Sequence, residues 1–147
     1  MRSQFLKAVI MISVLIGLSA VSTRAQAGNS FTVTVPFEFS VSGKTLPAGE
    51  YTVIRVGVSR DAVTMCSKDG KGSASALTKT IETRDIQNQT KIVFRRYGEQ
   101  YFLSQVWISG RSTGRQLFTS KEQLKVEREL VRGAAKPGTI AIVAQKR

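Results

Sequence analysis

The sequence has no histidine and a single cysteine in 147 residues. Without histidine there is no Ser-His or Cys-His nucleophilic pair, and most zinc and iron sites are excluded. The one cysteine, Cys66, forms neither an intramolecular disulfide nor a CxxC redox pair. It lies in A-V-T-M-C-S-K, where a strand is expected. A lone cysteine in an exported chain is a buried small hydrophobe or a bridge between chains, and burial is the preferred reading. Acids are scarce, 10 Asp and Glu against 22 Lys and Arg. A glycosidase needs two carboxylates facing each other across a cleft, and no spacing here offers that pair. Glu38 falls at an outward position of its expected strand and reads as a solvated charge. Serine and lysine are plentiful, yet no motif arranges them as a dyad. Gly70-Lys71-Gly72-Ser73 lacks the spacing of a phosphate loop and opens no helix, so it reads as a turn. L-P-A-G-E near the start of the processed chain has no membrane tail behind it and is no sorting signal. These absences point away from an enzyme, and no cofactor or metal is expected.

The first 27 residues do carry a pattern. Arg2 and Lys7 precede an apolar run from Ala8 to Val21, and Ala25-Gln26-Ala27 is a small-x-small cleavage site. That is the form of a Sec signal peptide, residues 1–27, with cleavage expected before Gly28. The run is short of the ~20 residues a membrane span needs. No cysteine follows it to anchor a lipid. The expected product is a chain of residues 28–147, periplasmic or extracellular, with no transmembrane segment left.

That product is long enough for one domain with its own core. Three basic residues leave with the signal, so 19 basic against 10 acidic residues give +9. From Arg111 onward there are nine basic and three acidic residues, so the C-terminal quarter is the electropositive end. Outside the cytoplasm the polyanions to consider are anionic lipid headgroups and envelope polymers. The basic tail holds one aromatic, Phe118, which gives no stacking platform for nucleic acid. The same charge also reads simply as a solvated, soluble surface.

Phe31 to Val41 alternates strictly, with Phe31, Val33, Val35, Phe37, Phe39 and Val41 apolar. This is a period-two strand signal. Pro36 makes it an edge strand, or one that bends between two sheets. Ser42-Gly43-Lys44 reverses the chain, and Leu46-Pro47-Ala48-Gly49 is a turn. Strands are expected over 50–58, 61–67 and 74–82, and polar loops over 84–90 and 111–115. Asn88-Gln89-Thr90 matches a glycosylation sequon, a pattern common by chance.

Lys91 to Gly110 holds the only tryptophan and two of the three tyrosines. Gly98-Glu99 at its centre predicts a type II′ hairpin, because that turn needs φ > 0 at its first central residue. The turn pairs Phe94 with Leu103, Arg95 with Phe102 and Arg96 with Tyr101. Strict alternation then puts Ile92, Phe94, Tyr101, Leu103 and Trp107 on one face, and Val93, Phe102, Val106 and Ile108 on the other. Both faces are apolar, so both should be covered. Arg95, Arg96 and Tyr97 form a candidate exposed cluster at the turn, a cation–π platform or simply stems covering ring edges.

Ser120 can N-cap a helix with Gln123 at the capping-box position, and Gly133 stands where a C′ glycine belongs. Leu124 and Val131, with Leu130 beside them, give it a narrow apolar stripe. Lys121, Lys125, Arg128 and Arg132 form the candidate anionic-surface patch. A strand over the same segment breaks at Arg128, so helix is preferred. A final strand is expected over 139–145. The sum is an all-β single domain, a β-sandwich or barrel of about eight strands with one short helix in the C-terminal region.

V-P-F-E-F-S-V-S-G-K-T-L-P-A-G-E-Y-T-V (35–53) and F-R-R-Y-G-E-Q-Y-F-L-S-Q-V-W (94–107) resemble stretches of a set of small exported bacterial β-rich proteins with no assigned activity. The resemblance covers most of the processed chain and implies an exported β-rich domain; it transfers no catalytic residue. L-P-A-G-E-Y-T-V is more loosely similar to an edge of prealbumin-like sandwich modules, a matter of fold alone. The functional expectation is a non-enzymatic binding or envelope-associated module with a basic C-terminal patch. The alternative is a structural subunit that oligomerises through an apolar strand face or edge.

Overall fold

The computed structural model describes residues 30–57 and 61–145. The expected signal peptide lies outside the described residues. Among the described residues, ten strands and one helix follow in order: β1 Ser30–Val35, β2 Phe39–Val41, β3 Lys44–Leu46, β4 Gly49–Val56, β5 Ala62–Ser67, β6 Ser73–Glu82, β7 Lys91–Tyr97, β8 Gln100–Trp107, β9 Thr113–Leu117, α1 Lys121–Arg132 and β10 Gly138–Val143. The all-β class with one short helix is what the sequence predicts.

The alternating stretch is split at Pro36, which lacks the N–H a ladder needs. Before it, β1 pairs antiparallel with β4. After it, β2 pairs with β3 and makes a parallel bridge to β8 at Ser40 and Phe102. The chain therefore bends at Pro36, as expected, but it passes from the edge of the sheet to another part of the same sheet and not between two sheets. The strands form one continuous sheet in the order β1-β4-β5-β6-β9-β8-β2-β3, with β7 and β10 beyond β8. β6 is the seam. Its first half pairs with β5 and its second half with β9. The far ends of the sheet come back together, where the Gln145 amide donates to the Thr32 carbonyl at 3.0 Å and its side chain to the Thr34 hydroxyl at 2.6 Å.

One core fills the interior. Val33 and Val35 of β1, Tyr51 and Val53 of β4 and Met65 of β5 meet Phe39, Ile92, Phe94, Leu103, Val106 and Leu117 from the other half. Burial of such side chains stabilises by ~1.5–3 kcal/mol each. The aromatics interlock edge to face, Phe39 against both Tyr51 and Phe94 with ring centres 5.2 Å apart.

The hairpin keeps its predicted register, with Phe94 opposite Leu103, Arg95 opposite Phe102 and Arg96 opposite Tyr101. Gly98 has φ +62° at the turn. The predicted faces fail past Leu103. The register slips between Val93 and Phe94, leaving Ser104 as an extra residue on β8. A bulge of one residue reverses the alternation beyond it. Val106 therefore joins the core, and Trp107 leaves it for the other face. There the indole ring lies over Gly114 of β9, where an added Cβ would stand 2.5 Å from it. β9 itself replaces part of the loop expected over 111–115.

Candidate functional site

α1 lies against the outer face of β7, at Arg95 and Tyr97. Ser120 caps the helix with its hydroxyl accepting from the Gln123 amide at 3.1 Å, as the sequence predicts. The C-terminus differs from expectation. Gly133 is the C-cap with an ordinary φ of −82°, and the left-handed residue is Ala134, at φ +58°. The Ala135 amide reaches the Leu130 carbonyl and the Ala134 amide the Val131 carbonyl, so the helix closes in a Schellman motif around an alanine.

The helix does not seat itself on Leu124 and Val131. The enclosed side is Gln123, with Val126, Glu127 and Leu130 partly covered. Leu124 is 40% and Val131 65% exposed. The cause is the polar surface beneath. The Gln123 side-chain amide donates to the Tyr97 hydroxyl at 3.3 Å, and the Arg95 guanidinium stands 3.9 Å from the Glu127 carboxylate. A purely apolar helix face would leave the Tyr97 hydroxyl without that partner.

This corrects the cluster expected at the turn. Tyr97 is 2% exposed and packs edge to face on Phe102 beneath the helix. Arg95 and Arg96 are exposed, as expected. Arg96 donates to the Gly98 carbonyl at 2.7 Å, and its guanidinium carbon sits 5.7 Å from the Tyr101 ring centre. These three residues fasten the turn and the helix.

The four residues of the basic patch do come together. At ~100° of rotation per residue, Lys121, Lys125, Arg128 and Arg132 fall within an arc of about 60°. That arc faces away from the sheet, opposite Gln123, Val126 and Leu130. All four are exposed, and they line a shallow depression of about 380 Å³ with Leu124 and Glu129. Leu124 and Val131 occupy one shoulder of the stripe. Glu122 and Glu129 occupy the other and turn toward a larger cleft of about 670 Å³ between β2–β3, the β7–β8 turn and α1. Glu38 and Glu99 add two more carboxylates to its wall, Lys125 one cation, and the Phe37–Tyr101 stack an aromatic surface. The sequence pattern does not show this cleft, because its acids come from three separate segments, the link before β2, the β7–β8 turn and α1. Among the described residues, no group of three or more His, Cys, Asp or Glu is placed to hold a metal ion. No described helix is long and apolar enough to cross a membrane. Cys66 is partly covered on β5.

No protein-family model matches the chain, and neither a curated protein nor a solved structure matches it.

Proposed function

We propose that the processed chain is an exported, non-enzymatic binding module that docks on an anionic surface of the envelope, lipid headgroups or acidic polymer, through the outward stripe of α1. One observation carries this reading. Lys121, Lys125, Arg128 and Arg132 share one exposed helix face, directly opposite the face packed on the sheet. A stripe so placed meets a flat polyanion without disturbing the fold. Each cation near an anionic surface contributes about 1 kcal/mol at low salt, and the contribution falls off within a Debye length. The absence of histidine and of any catalytic motif supports a role without chemistry of its own.

The test is retention on immobilised dextran sulfate across a salt gradient. The wild-type chain should elute late, and the variant with all four residues changed to Gln should elute near the void. Equal elution of the two would sink the reading. Oligomerisation through an apolar strand face has one observation in its favour: Val56 and Leu77 are exposed on either side of Ala62 in the outer face of β4, β5 and β6. Phe31 to Val41 is a poorer candidate, since Val33, Val35, Phe39 and Val41 are used in the chain's own core. Sizing by light scattering separates the two readings, and a monomer at all concentrations removes the second.

A further inference from the structure

We infer that the anionic surface is a phospholipid bilayer, and that α1 lies in its interfacial plane with Leu124 and Val131 entering the boundary of headgroups and acyl chains. The inference rests on the docking reading above and goes further, because a soluble polyanion has no use for exposed apolar side chains. The helix sorts its residues into three sectors on its free side. The basic stripe is central. Leu124 and Val131, two turns apart, flank it on one shoulder, 40% and 65% exposed. Glu122 and Glu129 lie on the other shoulder at the cleft, on the side of the stripe away from Leu124 and Val131, and Glu129 also borders the basic depression. The remaining acid of the helix, Glu127, faces Arg95 of the sheet. An approaching bilayer therefore meets four cations and the apolar pair, with Glu129 as the one carboxylate at the edge of the stripe. That is the division an interfacial amphipathic helix requires, with charge drawing it to anionic headgroups and apolar side chains holding it there.

The geometry also explains why the helix buries Gln123 and leaves Leu124 and Val131 out. Hydrogen bonding and an ion pair attach the inner side to the sheet, while these two apolar side chains remain exposed among the described residues. Twelve residues make a helix ~18 Å long, enough to lie on a membrane and too short to cross it.

The experiment is co-sedimentation of the processed, exported chain with vesicles. One set is phosphatidylcholine with about a third phosphatidylglycerol, and the other is phosphatidylcholine alone. Dextran sulfate retention is measured beside them. The wild type should bind the anionic vesicles and leave the neutral ones. Leu124→Gln with Val131→Gln should weaken vesicle binding about tenfold and leave dextran sulfate retention unchanged. Both positions are exposed, and Trp107 emission confirms that the variant keeps its fold. Unchanged vesicle binding in this variant would overturn the bilayer assignment and leave docking on an anionic polymer standing. Unchanged binding in the Gln variant of the four basic residues, to vesicles and polymer alike, would overturn both.

Discussion

Tyr51 shows how much one side chain can hold. Its ring is wholly buried in the core, and its hydroxyl donates to the Pro47 carbonyl at 2.6 Å, tying the β3–β4 turn to the interior. Burial raises its pKa above the ordinary 10.0, and the charge of Asp69 adds to the rise. The neutral phenol is thus the form the fold prefers. Its contribution is full below the unfolded-state value and is lost as pH rises through the raised folded value. Tyr51→Phe should cost about 1 kcal/mol in urea unfolding at neutral pH, the worth of one buried hydrogen bond. The wild type should also lose stability above about pH 10 more steeply than the variant. Gly114 makes an opposite case, since its importance is a missing atom. Gly114→Ala would push a methyl group into the Trp107 ring and should cost about 1–3 kcal/mol in the same measurement. This contact leaves no trace in the residue pattern, because Gly114 stands in a stretch that reads as loop.

At the scale of elements, local chemistry was legible where it acts locally. Gly98 gave the turn, and the turn gave three correct cross-strand pairs. Ser120 and Gln123 gave the start of α1. Ser104 gave nothing, because a bulge depends on how two strands twist together and leaves no mark in the side chain. That one residue moved Val106 and Trp107 to faces opposite those expected. The orientation of α1 is not legible from its apolar stripe for a related reason. Hydrophobicity marks Leu124 and Val131 as the stripe, whereas the surface the helix meets offers the Tyr97 hydroxyl and Arg95, which select Gln123 and Glu127. Ser120→Ala should cost about 1 kcal/mol through the lost cap. Ala134→Gly should act in the other direction. An alanine at φ +58° bears a steric penalty that glycine does not, so the variant should gain roughly 0.5–1 kcal/mol, visible as a rise of a few degrees in Tm.

At the scale of the molecule, the all-β class could be read from alternation and turn spacing, but the order of strands could not. β6 serves as the seam because it is long enough to pair with β5 along its first half and β9 along its second. The basic stripe, four residues spaced for one helix face, was readable in advance. The acidic cleft beside it was not, since only folding brings Glu38, Glu99, Glu122 and Glu129 together. The contact between Gln145 and Thr32 has a further consequence. The first and last described strands, β1 and β10, lie side by side, so the covalent path can be cut elsewhere and rejoined there. A circular permutant that joins residue 145 to residue 30 by a short Gly-Ser linker, with new termini in the polar 84–90 loop, should fold to the same β-rich structure. Circular dichroism and Trp107 emission matching those of the wild type are the expected result. A permutant that stays unfolded would show that β1 and β10 must be placed in their native order along the chain.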